Sequence, residues 1–175
     1  LADIAPVCSP TRASLLTGRY LFHHGVHVPF IDSSRSTLPL NESTLAQRLQ
    51  SAGYETHAVG KWHLGFRTWA HTPQERGFDS FFGYYAGSQD YYNHESLCWP
   101  GQVPNGCFEN TTGNGDGSHP GDPVTGLDLH RNREVVNSTE YSTTLYTAEA
   151  RRINQTHAAT HANGERRTPN SLLHS

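Results

Sequence analysis

Residues 43–65, STLAQRLQSAGYETHAVGKWHLG, set the tightest limit on the fold. Leu45 and Leu49 stand in the i, i+4 relation with Ala46 and Ala52 near the same face, which predicts a helix over 43–52 closed by Gly53. The alternating segment Tyr54–Val59 then predicts a strand running into Gly-Lys-Trp-His-Leu-Gly. A helix feeding directly into a strand points to an α/β fold. In open α/β sheets ligands bind beyond the carboxyl ends of the strands, so Lys61 and His63 are expected to place a cation and an imidazole at a site. Trp62 between them reads as packing, since an indole is chiefly buried area with one N–H donor.

The chain has 175 residues, enough for one core. Only 34% are hydrophobic, and the mean hydropathy is -0.65, so part of the chain is expected to pack poorly alone. A formal charge of -3 without blocks of like charge gives no reason to expect nucleic acid or an anionic membrane as partner. No apolar run is long enough to cross a bilayer, and the start lacks the basic and apolar regions of a signal peptide. The first residue is Leu rather than Met, which suggests a front truncation. Asn41, Asn110, Asn137 and Asn154 each begin an Asn-x-Ser/Thr acceptor for N-glycosylation, which points to the secretory route. Cys98 and Cys107 lie in a Gly-, Pro- and Asn-rich stretch at a spacing that suits a small disulfide-stapled loop, leaving Cys8 without a partner.

Around Cys8, Ser9 is placed as an N-cap and Pro10 as the first residue of a short helix that Gly18 ends. Cys8 is thus expected just ahead of a helix N-terminus, where free N–H groups favour developing negative charge. Residues 77–95 are aromatic-rich and Gly-punctuated and read as packed loop, and 99–126 as loop. A helix is expected from about Ser142 to Ile153. The division expected is 1–154 as a partial domain and 155–175 as a polar, disordered tail outside it.

Cysteine phosphatase chemistry fails on spacing, because only three residues separate Cys8 from Arg12 and the loop cannot wrap a phosphate. A zinc role for His23, His24 and His27 lacks accompanying cysteines at regular intervals. What remains is Cys-x-Pro-x-Arg followed by Leu-Leu-Thr-Gly, carried by Cys8, Pro10, Arg12, Thr17 and Gly18. Gly-Tyr-x-Thr-x-x-x-Gly-Lys-Trp-His-Leu-Gly follows from Gly53 to Gly65. With these two motifs in this order the chain resembles the type I sulfatases. The stretch RGFDSFFGYYAGSQDYYNHES brings it nearest to arylsulfatase B and related animal arylsulfatases.

The resemblance implies an alkaline-phosphatase-like α/β fold with a mixed sheet flanked by helices, present here in part. It implies a sulfuric ester hydrolase in which the formylglycine-generating enzyme, reading Cys8, Pro10 and Arg12, oxidises Cys8 to formylglycine. The hydrated aldehyde supplies one oxygen to attack sulfur and a second hydroxyl that later expels sulfate. By the same resemblance Arg12 stabilises the ionised diol, Lys61 pairs with sulfate, and His63 acts as base toward the other hydroxyl. Ca2+ serves as Lewis acid and contacts the oxygen derived from Cys8. Sulfated glycosaminoglycans, with N-acetylgalactosamine 4-sulfate as the group cleaved, and a lysosomal or secreted home are implied as well.

The family's Asp-Asp and Asp-Asn metal motifs do not occur in these residues, so the isolated chain is expected to hydrolyse no sulfate ester. Two other readings compete: a non-catalytic secreted or luminal protein that binds sulfated glycans through Arg12 and Lys61, and a translation fragment without function.

Overall fold

The computed structural model describes residues 6–30, 36–98, 124–161 and 170–174. The first described elements are helix α1 (Cys8–Thr17), a single turn α2 (Leu21–His24) and helix α3 (Leu45–Ser51). Strand β1 (Glu55–Lys61) follows, then β2 (Ser80–Tyr84) and an antiparallel hairpin of β3 (Glu95–Cys98) and β4 (Val124–Leu127). Short strands β5 (His130–Arg131) and β6 (Glu134–Val135) lead to helix α4 (Ser142–His161) and strand β7 (Asn170–His174). The main sheet runs β6-β5-β2-β1-β7, with β1 parallel to both β2 and β7 and the β2-β5-β6 edge antiparallel.

The sheet is covered on both faces. Successive residues of a strand point to opposite sides, and Phe81 joins Ala13 and Leu16 of α1, Ala46 of α3 and Trp62, Leu64, Phe66 and Phe78 in one buried cluster. Phe82 faces the other way, where its ring meets Tyr146 of α4 edge-on at 6.0 Å and the Arg131 guanidinium lies 4.5 Å from its centroid. Arg131 also reaches the buried Glu149 of α4 at 2.7 Å, which fastens the helix to the antiparallel edge.

Thr44 caps α3 with a full capping box: its hydroxyl accepts from Gln47 N, and the Gln47 side chain accepts from Thr44 N. The same hydroxyl donates to Arg76 O at 2.7 Å, tying the cap to the turn that precedes β2. Thr44→Ala removes both links, and a loss of about 1–2 kcal/mol in urea unfolding is expected; a change below a few tenths would refute the role of the cap.

The structure departs from the expectations above in four places. Helix α1 starts at Cys8 itself, with Val7 as N-cap and no side-chain cap bond. Ser9, buried inside the first turn, instead accepts from Phe30 N through its hydroxyl oxygen. Within 77–95, Ser80–Tyr84 and the start of β3 are strand rather than loop, and residues 124–126, expected as the end of a loop, belong to β4. Helix α4 runs on to His161, and residues 170–174 pair in parallel with β1 instead of forming a disordered tail. That pairing is long-range, so the polar local sequence gives no sign of it. Cys107 and Asn110 lie outside the described residues, and of Cys98 only the backbone is described, so the staple falls there too. Among the described residues no helix is long and apolar enough to cross a membrane.

Candidate active site

The N-terminus of α1 and the carboxyl end of β1 meet. Arg12, one turn into α1, donates from Nη1 to Lys61 O at 2.6 Å. Burial draws its guanidinium below the ordinary value, while Tyr84 and Cys8 push it back up; it stays charged, as arginine does in proteins. Cys8 is exposed on the first turn, within the electrostatic reach of Arg12. Lys61 extends its ammonium to Gly87 O at 2.6 Å. Two cations and a thiol therefore share one end of the sheet, beside the helix terminus that favours an anion.

His63 is held more tightly than a strand-end polar residue would be. It sits at φ 52, a left-handed conformation that non-glycine residues seldom adopt. Its backbone N–H donates to Tyr85 O at 3.1 Å, and its ring Nε2 donates to Phe30 O at 2.7 Å. Ser9 holds the N–H of the same Phe30 at 3.0 Å. Residue 30 thus joins the first turn of α1 to the imidazole. Nε2 carries the proton, which leaves Nδ1 a buried acceptor with no hydrogen-bond partner. A bare acceptor of this kind is suited to take a proton from a hydroxyl brought beside it.

Burial pushes the His63 imidazole down to about 4, reinforced by Lys61 and Arg12 and opposed by the bond to Phe30. The unfolded chain takes up this proton below about pH 6.5, the folded chain only below about 4. The unfolded state binds more protons between these values, so the stability contributed by the neutral ring is complete above the window and is lost as pH falls through it. His24, His57, His71 and His94 are displaced the same way, each chiefly by burial. The expected result is an unfolding midpoint that drops as pH falls from 6.5 to 4, with a shallower drop in His63→Gln. An NMR titration of the His63 ring with a midpoint near 6.5 would overturn it.

Trp62 is structural, donating to Gly65 O at 2.9 Å and His71 O at 3.0 Å. His24 is also structural: its Nδ1 accepts from Val26 N, and its Nε2 donates to Ser14 Oγ at 2.9 Å. Among the described residues no group of three or more His, Cys, Asp or Glu could hold a metal. Asp128, the carboxylate behind the end of β2, is occupied by the N–H groups of Tyr85 and Ala86, both at 3.0 Å, and by His130. Since Ca2+ takes six to eight oxygens, the described residues do not fit a calcium cage. Cys8, the one metal contact named from the sequence, lies here, and one ligand makes no site.

Ser9, Phe30 and Tyr84 belong to the same neighbourhood and carry no motif signal of their own. Tyr84 adjoins Lys61 in the β1–β2 register, and its phenol interacts electrostatically with both Arg12 and Cys8. Asn41, Asn137 and Asn154 are exposed, Asn154 within helix α4 rather than on a loop.

Residues 4–161, which include this site, match the sulfatase family, and the chain belongs to it. It is 37% identical over 161 residues to arylsulfatase J of Mus musculus, covering 90% of this chain and 23% of that protein. To arylsulfatase G of Homo sapiens it is 56% identical over 79 residues, covering 45% of this chain and 15% of that one. The chain thus spans under a quarter of the length of these relatives. The fold superposes on the crystal structure of Ps i-CgsB in complex with k-i-k-neocarrahexaose with a TM-score of 0.70 and 23% identity, over 98% of this chain and 34% of that one. The sheet and its helices are part of the alkaline-phosphatase-like α/β fold.

Proposed function

We propose that the protein to which this chain belongs is a sulfuric ester hydrolase of arylsulfatase type that acts through residue 8. The observation that supports this most is the bond from Arg12 Nη1 to Lys61 O, which joins the two sulfatase motifs at one end of the sheet. Formylglycine formed from Cys8 supplies a hydrated aldehyde as nucleophile. Around it the chain's own residues have distinct tasks. Arg12 stabilises negative charge at residue 8, and Lys61 pairs with the sulfate oxygens, as a preorganised cation acts on an oxyanion. His63, neutral and with Nδ1 bare, accepts a proton. Sulfatases in general use a divalent metal as well; if this one uses Ca2+, its ligands other than residue 8 come from outside the described residues.

Sulfate monoesters are the substrate class, with sulfated saccharides as the first candidates. The secretory pathway, ending in the lysosome or outside the cell, fits the exposed acceptors Asn41, Asn137 and Asn154. It is also the setting in which the formylglycine-generating enzyme would meet Cys8 and the Cys98–Cys107 staple would form. The competing reading, a glycan-binding protein without catalysis, is favoured by the missing carboxylate cage among the described residues.

An aldehyde-reactive hydrazide probe on the Cys8 peptide, from protein made in secretory cells, separates the two. Labelling at residue 8 is expected. An intact thiol there would sink the catalytic reading.

A further inference from the structure

Beyond the motif residues the molecule displays three tyrosines on one surface. Tyr91 and Tyr92 are 62% and 61% exposed and Tyr141 is 40% exposed. The Tyr141 ring meets both others, with Tyr91 and Tyr141 at 5.8 Å and Tyr92 and Tyr141 at 5.4 Å between centroids. Contiguous exposed aromatics of this kind mark an interaction surface more often than chance exposure does.

The surface is held in shape from below. Asp90 Oδ1 accepts from Tyr92 N and Asn93 N at 2.8 and 2.9 Å, and Asp90 N donates to Glu95 O at 2.9 Å. Ser142 N donates to Tyr91 O at 2.9 Å, and the buried His94 donates from Nε2 to Glu140 O at 3.0 Å. The backbone that carries the rings is therefore fixed, which lowers the ordering cost when something stacks on them.

The surface is also continuous with the candidate active site. The loop that carries Tyr91 leaves β2 through Gly87, whose carbonyl anchors the Lys61 ammonium. The Tyr84 phenol lies within electrostatic reach of Arg12, Tyr91 and Cys8 alike. The charge around the rings differs from that of the site itself: Asp90, Glu95 and Glu140 flank them. An anionic group would be repelled there, whereas an uncharged pyranose offers a C–H face to the rings and hydroxyls to the flanking carboxylates.

We propose that Tyr91, Tyr92 and Tyr141 form a stacking platform for an uncharged sugar ring in a saccharide substrate whose sulfated ring is held at Arg12 and Lys61. The assignment rests on the sulfatase reading above and narrows it: among sulfated saccharides, chains with neutral sugars are favoured over chains in which uronates alternate.

The test uses the intact protein that carries this chain, with Tyr91→Ala/Tyr92→Ala as the variant. KM is measured for a sulfated oligosaccharide of neutral galactose and N-acetylglucosamine units and for a uronate-containing chondroitin 4-sulfate oligosaccharide. A small aryl sulfate serves as reference. The expected result is a KM rise of about tenfold for the neutral chain, with little change for the aryl sulfate. Equal KM values in wild type and variant for the neutral chain would overturn the platform. So would a wild-type preference for the uronate chain. A changed sedimentation mass or loss of aryl sulfate turnover in the variant would show that the rings pack against protein instead, and would overturn it too. Should no form turn over any sulfate ester, NMR titration with the desulfated neutral oligosaccharide still decides: binding kept in Lys61→Ala and lost in Tyr91→Ala/Tyr92→Ala supports the platform, and any other pattern refutes it.

Discussion

Replacement of Cys8 by alanine, in the intact protein that carries this chain, is expected to lower kcat/KM for a fluorogenic aryl sulfate by at least about 10⁴-fold, the scale on which loss of a nucleophile is felt. The variant should fold normally, because Cys8 is exposed and makes its contribution at the first residue of α1. Alanine is at home in a helix. Arg12, Lys61 and His63 are held by main-chain carbonyls of Lys61, Gly87 and Phe30 rather than by the thiol, so the positive cradle survives the change. Sulfate affinity should then persist while turnover disappears. A variant with unchanged circular dichroism that keeps turnover within about tenfold of wild type would end the assignment of residue 8 as nucleophile.

The second large effect is expected at Gly83. This residue sits opposite Gly60 in the β1–β2 register. A Cβ there would stand 1.8 Å from Gly60 O and 2.6 Å from Gly60 C, both main-chain atoms that cannot rotate away. Gly60 itself has φ 103, a conformation that limits how its peptide can shift. Gly83→Ala must therefore part the two strands. The next register pair is Lys61 with Tyr84, and the ladder continues through Trp62 N to Tyr84 O at 2.8 Å and His63 N to Tyr85 O at 3.1 Å. Stability should fall by about 3 kcal/mol or more, at the upper end for overpacking, and the carrier protein should lose activity along with it. Gly53→Asn is the control, since nothing lies within 4 Å of that position and asparagine tolerates positive φ; it should cost no more than about 1 kcal/mol. Equal unfolding midpoints for Gly83→Ala and wild type would show that the strands do not approach as described.

Local patterns carried the parts of the fold that depend on local residues. The leucine spacing of α3 and the run into Lys61 are short-range signals, and helix and strand appear where the pattern places them. Strand β2 was hidden because SFFGY is buried through its middle and shows no clean alternation against neighbouring aromatic loops. Strand β7 was hidden because its reason for being extended is β1, more than a hundred residues earlier. The site divides the same way. Cys8, Arg12, Lys61 and His63 stand in contiguous motifs, whereas Ser9 and Phe30 act together only because the chain folds residue 30 back onto α1. The Asp128 carboxylate that receives the backbone after β2 is likewise a tertiary fact without a motif.

The tether from Lys61 to the Gly87 carbonyl has an evolutionary corollary. A positive charge moored to the polypeptide main chain keeps its location while the side groups of the adjoining loop drift. Substrate preference can then diversify along residues 88–93 without the ammonium having to be repositioned each time.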